Sequence, residues 1–205
     1  MCLNNNSIIP AIQESERFIQ FLIKRFNLNI ENNFIITINK ANKNTLGYFM
    51  PKEHKDHFIN TTQDLHNINI NTLHLKKEDV NIYEVLAHEL SHLVNNSNKI
   101  KDCCGFGYHN KKFKEQAEKF LLKVEKTSKG FNHTTPTEEF ILMLEEFKPN
   151  KEVFNFCQNT NNKQKVGSRL RLYICDCGVK VRVAKNDFKA LCLDCNTEFK
   201  GVNKE

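Results

Sequence analysis

Residues 81–96 read Asn-Ile-Tyr-Glu-Val-Leu-Ala-His-Glu-Leu-Ser-His-Leu-Val-Asn-Asn, and this stretch decides how the chain is organised. Asn81 can cap the start of a helix, and Glu84, three residues on, is placed to complete a capping box. The predicted buried face carries apolar residues at helical spacing, namely Ile82, Leu86, Leu90 and Leu93. The sequence therefore predicts an amphipathic helix that begins near Asn81 and ends in the polar run 95–98.

Two histidines and a glutamate on this helix have the spacing of a catalytic metal site. His88 and His92 are four residues apart, so both imidazoles lie on one helical face and can bind the same Zn²⁺. Zinc lowers the pKa of a bound water to roughly 7 and polarises a carbonyl group, while a nearby carboxylate moves a proton from the water to the leaving amine. The spacing predicts peptide-bond hydrolysis, with Glu89 as the catalytic base.

A catalytic zinc site needs a third protein ligand and an open fourth position. The metzincin pattern would place a glycine at position 95 and a histidine at position 98, but the chain has Asn95 and Asn98, which excludes that subclass. A thermolysin-like site would take Glu115 or Glu118 from the next predicted helix. His109, directly before that helix, is the competing candidate.

Periodicity around the motif predicts an α+β fold in which helices cover a small sheet. The other predicted helices cover residues 11–26, 138–147 and a stretch capped by Asn110 whose apolar stripe runs to Val124. The predicted strands cover residues 34–38, 45–49 and 67–71. Ile68 and Ile70 alternate with asparagines, which is typical of a half-buried strand, and a loop is expected around residues 130–136.

Eight cysteines, with no secretory signal and no apolar stretch long enough for a membrane span, predict a cytoplasmic protein that binds metal rather than forming disulfides. Cys175-x-Cys177 and Cys192-x-x-Cys195 offer four thiolates on two turns, the layout of a structural zinc ribbon. Gly178 can take the positive φ that such a turn uses. Four cysteines lack this pairing and are expected to be ordinary thiols: Cys2, Cys103, Cys104 and Cys157.

The net charge of +6 is concentrated near the C-terminus, where residues 163–205 hold ten Lys and Arg against five Asp and Glu. Before them, residues 159–168 have the polar composition of a linker. The basic side chains predicted to contact DNA phosphates are Arg169, Arg171, Lys180, Arg182, Lys185 and Lys189. Strand alternation predicts that Arg171 and Arg182 share one polar face. No base-reading motif accompanies them, so binding is expected to depend little on base sequence.

In combination these motifs resemble the SprT-like metalloproteases, particularly their short bacterial and phage forms; the family includes Spartan, which digests proteins crosslinked to DNA. The resemblance is carried by His88-Glu89-x-x-His92, Tyr108-His109-Asn110-x-x-Phe113-Lys114 and the four paired cysteines. It implies a zincin-like protease domain at residues 1–158, a linker at 159–168 and a four-cysteine zinc ribbon at 169–205. It also implies that His109 is the third zinc ligand and that protein substrates are held on DNA.

Two points stay open at the level of sequence. Tyr108 and His133 are candidate donors to the oxyanion that forms during peptide hydrolysis. The alternative function is a non-catalytic, zinc-dependent nucleic-acid-binding protein. Glu89 favours the enzyme, because a purely structural metal site has no use for that carboxylate.

Overall fold

A computed structural model of the chain describes residues 8–54, 56, 58–59, 63–75, 81–104, 107–155 and 170–202. The chain divides into two compact units, Met1–Gln158 and Asn159–Glu205. The fold is α+β, as predicted. The predicted linker at 159–168 lies outside the described residues. Within the described ranges, no helix has the length and apolar character that crossing a membrane requires.

The first sheet of the larger unit supports the two longest helices. Its strands are β1 (Phe34–Asn39), β2 (Gly47–Met50), β3 (Phe58–Ile59) and β4 (Asp64–Asn71). β4 is central, with β1 parallel to it on one side and β2 and β3 antiparallel to it. Helix α1 (Ile9–Arg25) contacts both β1 and helix α2 (Ile82–Ser97). All three predicted strands are confirmed, with ends shifted by one to three residues.

Helix α2 forms where it was predicted, and its start shows one difference. The Asn81 side chain accepts hydrogen bonds from the backbone N–H groups of Tyr83 and Glu84. Glu84 was expected to complete a capping box, but its carboxylate accepts a hydrogen bond from the Thr134 hydroxyl at 2.5 Å. The Glu84 side chain therefore bonds to a strand that is distant in sequence, and not to the helix cap that the local sequence predicts.

The prediction that β4 is half-buried was wrong, because both of its faces are buried. Asn67, Asn69 and Asn71 are at most 1% exposed. Their side chains bond to Thr37 and to the backbone of residues 39–45, for example Asn71 Nδ2 to Thr45 O at 2.6 Å. The side-chain amide of an asparagine can hydrogen-bond to backbone groups as a peptide bond does, so these polar side chains can lie on a buried face of the strand.

A second sheet follows α2 and corrects two predictions. Its strand order is β5 (Cys103–Cys104), β6 (Tyr108–His109), β8 (Gly130–Pro136) and β7 (Leu122–Thr127), and helix α3 (Lys111–Lys119) lies between β6 and β7 in the chain. The helix expected to run to Val124 ends at Lys119, since Leu121 has φ 63°. The loop expected at 130–136 is strand β8, which pairs antiparallel with β7. Pairing between strands overrides the helical periodicity of the apolar residues.

Helix α4 (Glu138–Phe147) has the predicted bounds and is followed by a 3₁₀ turn at Lys151–Phe154. Its buried face joins a cluster of aromatic rings centred on Phe18, which contacts Tyr83, Phe140 and Phe147 at centroid distances of 5.0 to 6.4 Å. This cluster forms one end of the core between α1, α2 and α4. The aromatic cluster packs against the buried face of α2, whereas the two histidines of that helix lie on its other face.

The smaller unit contains the sheet β10–β9–β11, with β9 at Arg171–Ile174, β10 at Lys180–Val183 and β11 at Lys200–Gly201. Tyr173 is 6% exposed and packs against Phe188 at a centroid distance of 5.3 Å. The Tyr173 hydroxyl donates to the carbonyl of Asn186 at 2.7 Å. Few side chains are buried in this unit, so it has little apolar core to stabilise it.

Candidate functional site

Three histidines converge in the larger unit. His88 and His92 project from α2, and β6 brings His109 to them. The Nε2 atom of His109 lies 3.3 Å from Nε2 of His88 and 3.1 Å from Nε2 of His92. These atoms form a set that could hold a metal ion. The structure thus brings together the three predicted ligands.

Each of the three rings is held through its other nitrogen. Nδ1 of His88 lies 3.2 Å from the hydroxyl of Thr134, Nδ1 of His92 lies 2.8 Å from a carboxylate oxygen of Asp102, and Nδ1 of His109 lies 3.0 Å from the carbonyl oxygen of Gly107. A proton on each Nδ1 satisfies these acceptors and leaves three Nε2 lone pairs facing one another. A shared cation satisfies such an arrangement, so the residues fit a metal ion.

The electrostatics of the cluster favour at most one proton on its inner nitrogens. Burial alone lowers the pKa of His92, but the hydrogen bond with Asp102, a contact with the Cys103 sulfur and the charge of Glu89 raise it to about 10. Burial and the charge of His92 lower the pKa of His109 to about 4, and the same causes keep that of His88 well below its ordinary value. A metal ion therefore competes with a single proton for this site.

Glycine lets β8 approach His109. Gly130 has φ +80°, and a Cβ added there would lie 2.0 Å from the carbonyl oxygen of His109. The backbone N–H of His109 donates to the Lys129 carbonyl at 3.0 Å, which fixes the strand that carries the third histidine. Any side chain at position 130 would displace β6 and with it the imidazole.

Glu89 is 5% exposed, and the cleft beside the histidines reaches it. Burial raises its pKa to about 7, against the opposing effects of the His92 charge and the backbone N–H of Phe49. A divalent cation held by the three histidines would lower that pKa. Without a cation, a carboxyl group of this pKa can both accept and donate a proton near neutral pH.

The cleft has a volume of about 1120 Å³ and two unlike walls. One wall is formed by residues 44–51, which carry no charged side chain. It includes β2, which pairs with β4 and, among the described strands, with no other. A second part of the lining comes from the segment after α2 and the turn between β7 and β8, and it contains Lys99, Lys101 and Lys129.

The structure separates the alternatives for the third ligand. Glu115 and Glu118 are exposed on α3 and form ion pairs with Lys112 at 3.1 Å and with Lys114 at 3.3 Å. His109 occupies the position that either glutamate would have had to reach. Of these three candidates, the structure places His109 beside His88 and His92.

Of the two candidate oxyanion donors, His133 lines the cleft, whereas Tyr108 is 36% exposed on β6 and is not among the lining residues. Cys103 also lines the cleft, with its sulfur 4.0 Å from Nδ1 of His92. Cys104 is exposed. Cys2 and Cys157 lie outside the described residues.

Sequence reasoning missed the residues that hold the histidines in place. Asp102 accepts from His92 and also from the side-chain amide of Asn95 at 3.1 Å. Thr134 joins His88 to Glu84. Asp102 stands in a polar loop and Thr134 in a segment expected to be a loop, so no local pattern marks either one. The contacts arise because β5 and β8 fold back onto α2.

In the smaller unit, Cys175, Cys177, Cys192 and Cys195 form a second set that could hold a metal ion. The sulfur atoms of Cys177 and Cys192 are 3.7 Å apart, close to the spacing expected when four thiolates surround one ion at about 2.3 Å. Gly178 has φ +86°, as predicted. The Thr197 hydroxyl and backbone lower the pKa of Cys195 to about 6, which favours its thiolate.

The basic side chains of this unit are divided between two faces, which corrects the prediction that Arg171 and Arg182 share one. Arg182 is opposite Leu172 in the register, and Lys180 is opposite Ile174, so both point away from the side that carries Arg171 and Tyr173. Lys185 pairs with Asp187 at 3.8 Å, and Lys189 is exposed. Arg169 lies outside the described residues.

A scan against protein-family models, a search of curated proteins and a search of solved structures each found no match. The geometry of the two ligand sets therefore carries the functional argument alone.

Proposed function

We propose that this chain is a zinc-dependent endopeptidase of the SprT-like type, with a zincin-like catalytic domain followed by a zinc ribbon. The observation that carries the proposal is the convergence of three Nε2 atoms beside the buried carboxyl group of Glu89, at the floor of an open cleft. A purely structural metal site is closed by its protein ligands, whereas a catalytic one keeps a position for water or substrate.

In this mechanism, His88, His92 and His109 would hold a zinc ion, which when bound would lower the pKa of a water and polarise the scissile carbonyl. Glu89 would take a proton from that water and pass it to the leaving nitrogen. Burial raises the pKa of Glu89, which opposes the lowering effect of a bound cation and helps the group to exchange a proton. Asp102 and Thr134 hold the imidazoles in the tautomer that leaves Nε2 free. His133, which lines the cleft, is the candidate donor to the oxyanion.

A polypeptide substrate is supported by the shape of the uncharged wall. β2 is an edge strand among the described residues and borders the cleft, where the backbone N–H of Phe49 donates to Glu89. An extended peptide can pair with such an edge through main-chain hydrogen bonds that do not depend on its side chains. The cleft therefore suits an extended polypeptide held through its main chain.

We further propose that the smaller unit binds DNA through phosphate contacts. Lys180 and Arg182 are exposed on one face of β9 and β10, and no ion pair engages them among the described residues. Binding there would concentrate the enzyme on proteins held on DNA, without requiring a particular base sequence.

The catalytic proposal is tested with Glu89→Gln in the full-length protein. The amide keeps the shape of the side chain but cannot accept the proton, so we expect hydrolysis of an unfolded protein substrate to fall by about 10² to 10⁴. Zinc content, measured by mass spectrometry, should stay at the wild-type value. Hydrolysis near the wild-type rate would refute the mechanism.

A second variant, His109→Ala, tests the ligand assignment in the same experiment. We expect it to lose one zinc and all measurable hydrolysis, while the cysteine-bound zinc remains. Retention of both metals would exclude His109 as a ligand. If wild-type protein binds zinc at both sites, binds DNA and hydrolyses nothing, the chain is the non-catalytic nucleic-acid-binding protein instead.

A further inference from the structure

Three lysines form one rim of the cleft. Lys99, Lys101 and Lys129 are exposed and belong to its lining, and we call them the cationic rim. They come from two separate segments of the chain, the end of α2 and the turn between β7 and β8. The fold therefore assembles a cluster that is not a charge run in the sequence.

Backbone contacts anchor this rim beside the third histidine. The carbonyl of Lys129 accepts from the backbone N–H of His109 at 3.0 Å, and the carbonyl of Lys101 accepts from the side-chain amide of Asn110 at 2.9 Å. Lys99 has φ 57°, and its N–H donates to the Asn96 carbonyl at 2.9 Å. The backbone of Lys129 and of Lys101 is thus hydrogen-bonded to His109 and to its neighbour Asn110.

The positive charge of the rim is not neutralised locally. None of the three lysines forms an ion pair with a carboxylate in the described part of the chain. The acidic groups of the cleft have other roles: Glu84 accepts from Thr134, Asp102 accepts from His92, and Glu89 is buried. Residues 1–162 carry a surplus of a single positive charge, so the rim concentrates charge in a nearly neutral unit.

From this arrangement we propose that the cleft selects polypeptide segments rich in Asp and Glu, which lie between the uncharged wall and the cationic rim. The inference rests on the proposed endopeptidase function for its site and adds the substrate class. A polypeptide is favoured over a nucleic acid because the cleft lining includes β2, an edge strand among the described residues, with which a peptide backbone can pair and a phosphate backbone cannot.

Binding to the full-length Glu89→Gln protein, loaded with zinc, tests the proposal without relying on hydrolysis. Two fluorescent peptides of equal length are compared, one with several Asp and Glu residues and one with Asn and Gln in their places. At low ionic strength we expect the acidic peptide to bind about tenfold more tightly, and a rise in salt to reduce the difference.

Charge reversal locates the effect. Adding Lys99→Glu, Lys101→Glu and Lys129→Glu should abolish or invert the preference for the acidic peptide. The matched control reverses three exposed lysines that do not line the cleft, Lys24, Lys40 and Lys119, and should keep most of it. Hydrolysis is tested separately with wild-type protein. Binding of the acidic peptide without cleavage would refute the endopeptidase function but would leave the preference for acidic segments in place.

Three outcomes would overturn the inference. Equal affinity for the two peptides would show that the rim does not select acidic segments. An equal loss in the rim and control variants would assign the effect to overall charge. Tight binding of single-stranded DNA that rim reversal abolishes, with no preference between the peptides, would show that the rim contacts nucleic acid.

Discussion

At the scale of single residues, the histidine cluster depends on side chains outside the three candidate ligands. Thr134 donates to Glu84 at 2.5 Å, so its oxygen is left to accept from Nδ1 of His88 at 3.2 Å. Burial raises the pKa of Glu84, and the hydroxyl group opposes that shift. This chain of contacts sets the tautomer of His88 as Asp102 sets that of His92.

Thr134→Val is the sharpest test of that role, because valine keeps the shape and removes the hydroxyl group. We expect zinc affinity at the histidine site to fall by roughly 10- to 100-fold, since the variant frees the imidazole and leaves a buried carboxylate without its donor. Competition with a chromogenic chelator measures the affinity. Thr135→Val, one residue along the strand, is the control and should bind zinc normally. Unchanged affinity in Thr134→Val would show that the contact is incidental.

At the scale of elements, one buried carboxylate ties three helical segments together. Glu14 of α1 is 7% exposed and accepts from Arg17 at 2.8 Å, from the Tyr83 hydroxyl of α2 at 2.9 Å and from the backbone N–H of Asn150 at 2.8 Å. Burial alone would raise the pKa of Glu14, but these hydrogen bonds and the charge of Arg17 hold it below its ordinary value. The ionised form therefore stabilises the fold.

A lowered pKa makes this contribution depend on pH in a defined direction. It is fully present above the pKa of an unfolded glutamate and disappears as the pH falls through the lower pKa of the folded protein. At pH 7 we expect Glu14→Gln to reduce the free energy of unfolding by about 1 to 3 kcal/mol. Urea unfolding followed by circular dichroism should show the difference shrinking below about pH 4.

The control for this prediction is Glu16→Gln, since Glu16 is exposed on the same helix. It should change the free energy of unfolding by less than about 0.5 kcal/mol. A difference between wild type and Glu14→Gln that stays constant from neutral to acidic pH would contradict the proposed role of the ionised carboxylate.

At the scale of the whole molecule, each of the two compact units has its own set of candidate metal ligands, and the two units differ in the size of their apolar cores. The larger unit has an extensive apolar core, whereas the smaller one buries little besides Tyr173, Cys175 and Cys192. A bound metal would contribute folding energy to the smaller unit. Its basic face, rather than its core, carries the proposed DNA contacts.

DNA binding by the full-length protein should weaken steeply with salt, and reversal of Lys180 and Arg182 to glutamate should reduce the slope of log K against log salt by about two. Titration of double-stranded DNA at several salt concentrations measures that slope. Reversal of Lys24 and Lys119 in the larger unit is the charge-matched control and should change it little. An unaltered slope in the Lys180 and Arg182 variant would place the contacts elsewhere.

The sequence by itself determined the parts of this protein that depend on local spacing. Helix α2 with its Asn81 cap, the shared face of His88 and His92, and the bounds of α4 all follow from periodicity and capping within about a dozen residues. Within each of the two cysteine pairs, the thiols are likewise brought together by a short turn. In these cases the interacting groups are near one another along the chain.

Tertiary structure alone decided which distant groups complete the site. Strand pairing converted an expected helix end and loop into β7 and β8, and thereby brought Thr134 to His88. It also settled His109 over the glutamates and buried the asparagines of β4. These outcomes depend on hydrogen bonds between segments far apart in sequence, whose free energy exceeds the small local preferences that a sequence pattern records.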